Sequence, residues 1–281
     1  MQSMAIKSTI PKHRKSILNP VGWGYSDSFF KYENHEFKFS GKRYEIGSNG
    51  LPFTQMKTYV EAQYGIKMDE LKPAQKLQQR EEDYPKRVEN TEFLKGVKDA
   101  NIDFTVDFDE RLFRTHGQSA DETFILNFDR YQRLPDLVLF PKKHEEVEAI
   151  VKLANEFNVA LIPVGGCTNV TDNCSCPAGE IRQVVVVDCS QMNRLMWIDQ
   201  ENFLACFEAG VVGQDLERIL NEKGFTMGHE PDSIEFSTLG GWVSTRASGM
   251  KRQKVNSQIL LKTFLIFYSN FINSTEILKT L

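Results

Sequence analysis

The segment most able to do chemistry reads Pro163-Val164-Gly165-Gly166-Cys167-Thr168-Asn169-Val170 and directly follows the apolar run Val159-Ala160-Leu161-Ile162. Glycine reaches positive φ without a Cβ clash, and successive amides turned one way form a concavity that binds phosphate. The chemistry open to this loop is therefore anion binding by the main chain; a plain strand-ending turn is the other use of the same residues. A second stretch, GHEPDSIEFSTLGGWVSTRASGM at 228–250, is dense in short donors and acceptors. Asp232, Ser233, Glu235, Ser237 and Thr238 sit beside Gly240-Gly241, and Thr245, Arg246, Ala247 and Ser248 add a cation among hydroxyls. That composition suits a sugar, a pyrophosphate or the edge of a flat ring. A small-residue helix packed on a sheet is the alternative.

A third candidate is DFDERLFRTHGQ at 107–118, where Arg114 and His116 could bind a phosphate or orient a reacting group. A surface helix ended by Gly117 as its cap explains the same residues without chemistry. The five cysteines, Cys167, Cys174, Cys176, Cys189 and Cys206, lack a paired C-x-x-C or a His pair, which argues against zinc, and they read as loop thiols of a reducing compartment. Metal is not expected. Net charge is −4, so no nucleic-acid partner is expected and substrate charge must be handled locally. Apolar content of 41% suffices for a buried core.

The elements that must position these residues begin weakly. Residues 1–20 carry Lys7, Lys12, Arg14 and Lys15 with no long apolar period and read as a solvated or cleaved leader. KYENHEFKFSGKRYEI suggests a hairpin about Ser40-Gly41, and KPAQKLQQREEDYPKR suggests a mobile connection. From Pro135 the texture is α/β. Asp136–Phe140 reads as a strand, and Glu145-Glu146 open a helix with Val147, Ile150, Val151 and Ala154 on one face. Val159–Ile162 and Gln183–Asp188 read as strands, and Leu195–Ile198 with Phe203–Phe207 as a hairpin. A second amphipathic helix presents Val212, Leu216, Ile219 and Leu220 and stops near Gly224. The loop thus lies beside a small mixed sheet, and no G-x-G-x-x-G opens a helix after its strand, which excludes the nicotinamide fingerprint.

A strand, a P-x-G-G-type loop, several strands and a helix, then D-S-x-E-F-S-T and T-R-A-S-G, resembles the FAD-binding domain of the vanillyl-alcohol-oxidase/cresol-methylhydroxylase (PCMH) class. With GWGYSDS, GKRYEI, DERLFRTHG, RLPDLVLFP and SQMNRLMWID, the likeness points to the ether-lipid-forming branch of that class and runs from about Val21 to Met250. The resemblance implies an α+β fold: residues 1–20 as a leader, 21–132 as a mostly helical N-terminal region, 133–250 as the first half of a PCMH-type domain with a mixed sheet and flanking helices, and 251–281 as a divergent tail. It implies FAD as cofactor. The pyrophosphate would lie on Pro163, Val164, Gly165, Gly166, Cys167, Thr168 and Asn169. Further cofactor contacts would come from Asp232, Ser233, Ile234, Glu235, Phe236, Ser237 and Thr238, and from Thr245, Arg246, Ala247 and Ser248.

The implied reaction replaces the acyl group of acyl-dihydroxyacetone phosphate by a long-chain fatty alcohol, in a peroxisomal setting, and leaves room for a homodimer and peripheral membrane contact. Three positions depart from the pattern. Cys167 stands at a usual Gly, Asn169 at a usual Ser and Gln118 at a usual His. If position 167 needs positive φ, its Cβ costs about 1–2 kcal/mol. The tail QKVNSQILLKTFLIFYSNFINSTEILKTL does not continue the likeness, and Ile259–Ile272 reads as an edge strand or an exposed aggregation-prone segment, too short to span a membrane. The catalytic residues implied by the resemblance belong to a cap domain, so none is assigned, and flavin binding by this chain alone is expected to be weak or absent. An FAD-linked oxidase or 2-hydroxy-acid dehydrogenase, and a non-catalytic fragment that pairs with the full-length enzyme, are the competing readings.

Overall fold

The computed structural model describes residues 3–44 and 51–249. In chain order the strands are β1 (Met4–Ala5), β2 (Phe29–Glu33), β3 (Glu36–Ser40) and β4 (Leu51–Phe53), followed by helices α1 (Met56–Tyr64) and α2 (Thr91–Asp99). Strand β5 (Phe104–Thr105), helices α3 (Phe108–Phe113) and α4 (Ala120–Phe128), strand β6 (Leu137–Leu139) and helix α5 (His144–Glu156) come next. The last run is β7 (Ala160–Val164), β8 (Val184–Asp188), β9 (Arg194–Asp199), β10 (Leu204–Phe207), α6 (Gly213–Asn221) and α7 (Leu239–Thr245). This is a mixed α and β architecture.

One sheet has the order β5-β6-β8-β7, with β6 and β7 both parallel to the central β8 and β5 antiparallel at the edge. Val184, Val185, Val186, Val187 and Asp188 are all buried, as a β-branched strand covered on both faces should be. The period of two divides its contacts. Leu137, Leu139, Val185 and Val187 pack with Phe93, Val97, Ile150 and Ala154 of α2 and α5, whereas Val138, Phe140 and Val186 pack on the other side with Val164, Cys167 and Cys174. A Cβ on Gly96 would press into Leu153, so glycine lets α2 lie close on α5. The hairpin β9–β10, bulged between Cys206 and Phe207, joins β1 in a second sheet. Its inner face packs Leu195, Ala205 and Phe207 against Leu216, Ile219 and Leu220 of α6 and Trp242 of α7.

The N-terminal region supplies helices and, in addition, the antiparallel sheet β2-β3-β4. Its hairpin turns at Asn34-His35, not at Ser40-Gly41: both Asn34 and His35 have positive φ (52° and 64°), the two-residue geometry whose twist matches the strands. Gly41 lies one residue past the end of β3.

The leader expectation is corrected. Residues 3–20 are packed: β1 pairs with β9, Ile6 joins the β9–β10 core, and the Thr9 amide donates to Asp215 Oδ2 at 2.8 Å. Ile10 and Leu18 are buried beside Tyr25, Phe113 and Phe236. The polar connection 72–87 has no strand and a single 3-10 turn at Glu81–Asp83, and Gln79 Nε2 caps the end of α4 by donating to the carbonyls of Leu126 (2.9 Å) and Asp129 (2.8 Å). The tail from 250 onward, with the strand expected at Ile259–Ile272, lies outside the described residues.

Candidate functional site

The glycine loop leaves the C-terminal end of β7, where Val164 is in register with Asp188 at the end of β8. Ligand sites of α/β sheets collect at this edge, because loops there converge beyond the last side chains of the parallel strands. Among the described residues, no hydrogen bond is donated by the backbone amides of Gly165, Gly166, Cys167, Thr168 or Asn169. Five successive N–H groups without a protein acceptor fit an anion such as a pyrophosphate. Cys167 has φ 54°, so the condition for a Cβ cost at this position is met.

The loop is clamped from both sides. A Cβ at Gly165 would overlap Thr238 Oγ1, and one at Gly166 would overlap the Phe236 carbonyl oxygen, so the two glycines let the loop lie directly on 236–238. At the other end, the Gln118 amide donates to the Asn169 carbonyl at 2.7 Å, and a Cβ on Gly117 would overlap that oxygen. Gly117 is therefore a close-approach residue and not a helix cap; α3 ends at Phe113 with Arg114 as its C-cap. The Asn169 side chain turns inward, its Nδ2 donating to Cys174 Sγ at 3.1 Å.

Beneath the loop lies an ion-pair cluster that sequence reasoning missed. Asp188 is fully buried and receives Arg14 Nη2 at 3.2 Å on both oxygens and Arg114 Nε at 2.6 Å. Arg14, 1% exposed, also donates from Nη2 to the Gly165 carbonyl at 2.5 Å, tying the cluster to the loop. Arg114 further donates to Glu110 Oε2 (2.5 Å) and the Lys12 carbonyl (2.9 Å). Burial alone raises the pKa of Asp188, but the two guanidiniums and the hydrogen bonds from Ser190 outweigh it and hold the carboxyl below its ordinary value. Asp188 was visible only as an acid closing a valine run, and Arg14 only as one charge among several.

Arg114 is thus spent inside the fold. His116 is buried, donates Nδ1–H to the Gly117 carbonyl at 2.6 Å, and is shifted down by burial, so it is neutral near pH 7. Neither is placed to hold a phosphate from solvent.

The 232–238 stretch forms a tight turn in which Ser233 takes φ 56° and its carbonyl accepts the amides of Phe236 and Ser237. Most of its polar groups are internal. Ser237 Oγ accepts Trp242 Nε1 at 2.8 Å, Thr238 Oγ1 caps α7 through the Gly241 amide, and Glu235 Oε1 accepts Tyr44 OH at 3.3 Å. The carbonyls of Ile234 and Glu235 accept from Gln214, and Phe236 packs among Trp23 and Tyr25. Trp23 Nε1 donates to Ser233 Oγ at 3.1 Å, and the Asp232 carbonyl accepts from Ser237. The stretch therefore braces the loop through backbone and small side chains.

Thr245, Arg246 and Ser248 lie at the far end of α7 and are exposed. Thr245 Oγ1 is taken by the Gly241 carbonyl, Arg246 ends the helix at φ 50°, and the Ala247 amide donates to the Trp242 carbonyl. Seven helical residues span about 10 Å. No hydrogen bond or ion pair joins 245–248 to the loop among the described residues, so the structure brings together 163–169 and 232–238 but not the third group. No group of three or more metal-ligating side chains occurs among the described residues.

Residues 135–262 match the FAD binding domain family. The chain is 43% identical over 251 residues to the alkyldihydroxyacetonephosphate synthase of Caenorhabditis elegans, covering 89% of this chain and 41% of that protein. A solved alkyldihydroxyacetonephosphate synthase superposes with a TM-score of 0.72 at 28% identity, over 83% of this chain and 44% of the other. A mitochondrial cytochrome-linked D-lactate dehydrogenase of Arabidopsis thaliana is 32% identical, but over only 56% of this chain and 25% of that protein. The chain spans less than half the length of each of these relatives. It carries an FAD-binding domain of the PCMH type, in a sequence similar over most of its length to the alkyldihydroxyacetonephosphate synthases.

Proposed function

We propose that this chain serves ether-lipid synthesis, in an FAD-dependent exchange of the acyl group of acyl-dihydroxyacetone phosphate for a long-chain fatty alcohol. The observation that carries the reading is the run of five unpaired amides, Gly165 to Asn169, at the C-terminal edge of the parallel strands. The similarity to a synthase over 89% of the chain supports this reaction.

In this reading Pro163 to Asn169 bind the pyrophosphate of FAD. Asp232, Ser233, Ile234, Glu235, Phe236, Ser237 and Thr238 hold that loop in place, and Thr245, Arg246, Ala247 and Ser248 offer hydroxyls and a cation further along the cofactor. FAD, when bound, supplies a polarisable ring for a reaction with no net electron transfer. The exchange breaks the bond between the dihydroxyacetone carbon and the acyl oxygen, releases a carboxylate, and forms a bond to the alcohol oxygen. A homodimer, peripheral membrane contact and a peroxisomal setting belong to the same proposal, and imaging of a tagged chain checks the last.

Incubating the chain with FAD, acyl-dihydroxyacetone phosphate and isotope-labelled hexadecanol tests the reaction. Labelled alkyl-dihydroxyacetone phosphate, with the alcohol oxygen retained, is the expected product. Bleaching of the flavin by a 2-hydroxy acid with no ether formed would contradict the proposal and favour the oxidising relatives. Product formed only after full-length synthase is added would favour the role of a binding fragment.

A further inference from the structure

Gly165 and Gly166 let the loop lie on 236–238, and the same two glycines leave the peptide between them the freest in the run to turn over. A turned peptide would present the Gly165 carbonyl oxygen to an anion in place of the Gly166 N–H. A side chain from 151 residues away restrains it: Arg14 Nη2 donates to the Gly165 carbonyl at 2.5 Å from beneath the loop. The peptide is trans and planar, so its C=O and N–H point in opposite directions. With the oxygen held against the buried guanidinium, the Gly166 N–H faces away from the ion-pair cluster.

The donor is itself fixed. Arg14 opens a single 3-10 turn, Arg14–Ser16, and its carbonyl accepts the amides of Ile17 (3.0 Å) and Leu18 (2.8 Å). Ile10 and Leu18 on either side are buried, and the guanidinium carbon lies 5.8 Å from the centre of the Phe113 ring. Ion pairing alone does not account for this placement. Asp188 already accepts Arg114 Nε at 2.6 Å and the Ser190 amide at 2.8 Å, whereas Arg14 Nη2 stands 3.2 Å from both carboxylate oxygens. Among the described residues, the shortest polar contact of Arg14 is the one to the loop. Nη2 carries two hydrogens in the plane of the guanidinium, so one rigid group serves the carbonyl and the carboxylate together.

We infer that Arg14 is a positioning residue of the loop: it sets the Gly165-Gly166 peptide so that the Gly166 amide joins the run that takes a pyrophosphate. The effect on affinity rests on the function proposed above, and the hold on the peptide does not.

Glycine isotope-labelled at both the carbonyl carbon and the amide nitrogen isolates this peptide in a nuclear magnetic resonance spectrum of the purified chain, because Gly-Gly steps occur only at Gly165-Gly166 and Gly240-Gly241. In ligand-free Arg14→Met the Gly165 carbonyl signal should move upfield, as for a carbonyl that has lost its hydrogen bond. Affinity for inorganic pyrophosphate and for FAD should fall about tenfold or more, with riboflavin affinity unchanged. Ile150→Ala, a core change on the opposite face of the sheet from Cys167, should lower stability and leave the Gly165 signal and these affinities as in the wild type. If Arg14→Met fails to fold, Arg14→Lys, which keeps the charge beside Asp188 but ends one atom short of Nη2, is read in the same way. An unmoved Gly165 signal overturns the hold of Arg14 on the peptide, even where affinity falls. A moved signal with unchanged pyrophosphate and FAD affinity, or with an equal loss for riboflavin, overturns the positioning role and leaves the flavin loop standing. A wild type whose Gly166 signal ignores both FAD and pyrophosphate overturns the flavin loop, while the carbonyl signal still decides whether Arg14 sets the peptide.

Discussion

Asp188 is reached by two arginines 174 and 74 residues away in sequence, and one of them, Arg14, also holds the Gly165 carbonyl. Removing one partner of a buried pair leaves an uncompensated charge, so Arg14→Met should cost about 3–5 kcal/mol in urea unfolding. Its effect should exceed that of replacing the exposed Arg80, which pairs with Asp83 at the surface. Because the folded-state pKa of Asp188 lies below its ordinary value, its stabilisation is complete above about pH 4 and is lost as pH falls through the depressed value. Stability should thus fall in acid, with a shallower slope in Asp188→Asn, and an unchanged slope would contradict the assignment. At Cys167 the left-handed backbone separates two small replacements. Both remove the thiol, but Cys167→Gly also removes the Cβ, and it should be more stable than Cys167→Ala by about 1 kcal/mol. The glycines of the loop were legible because their backbone use is local. Arg14 was not, since its role depends on a partner brought in by the whole fold.

At the scale of elements, the N-terminal segment is the sharpest difference between expectation and structure. Its apolar residues are spaced singly among charges, so no period announced that Ile6, Ile10 and Leu18 reach separate parts of the core. Deleting residues 1–20 should lower the melting temperature markedly and abolish cooperative unfolding of the β9–β10 sheet; a dispensable leader would leave both unchanged. The strands from Leu137 to Phe207 were legible from β-branched runs and the period of α5. The Asn34-His35 turn was not, because its positive φ angles fall on residues other than glycine. The packing of the loop on 236–238 gives a further prediction. In Gly166→Ala the new Cβ overlaps the Phe236 carbonyl and must push the two segments apart. FAD affinity should fall about tenfold or more, equivalent to ~1.4 kcal/mol, with little change in circular dichroism.

At the scale of the molecule, a parallel-strand edge, an ion-pair cluster below it and a bracing turn beside it converge on one loop. The order of motifs along the chain foretold the meeting of 163–169 with 232–238. It did not foretell that most hydroxyls of the second stretch would be consumed by its own surroundings, because hydrogen-bond partners such as Trp242 and Trp23 are set by tertiary packing. In the function proposed above, the main-chain amides of Gly165 to Asn169 take the pyrophosphate of FAD. The most direct test is a fluorescence titration of the chain with FAD and with riboflavin, followed by competition with ADP. FAD should bind at least about tenfold more tightly than riboflavin, and ADP should displace it, since FAD and ADP share the pyrophosphate that riboflavin lacks. Equal affinity for riboflavin, or failure of ADP to compete, would contradict it.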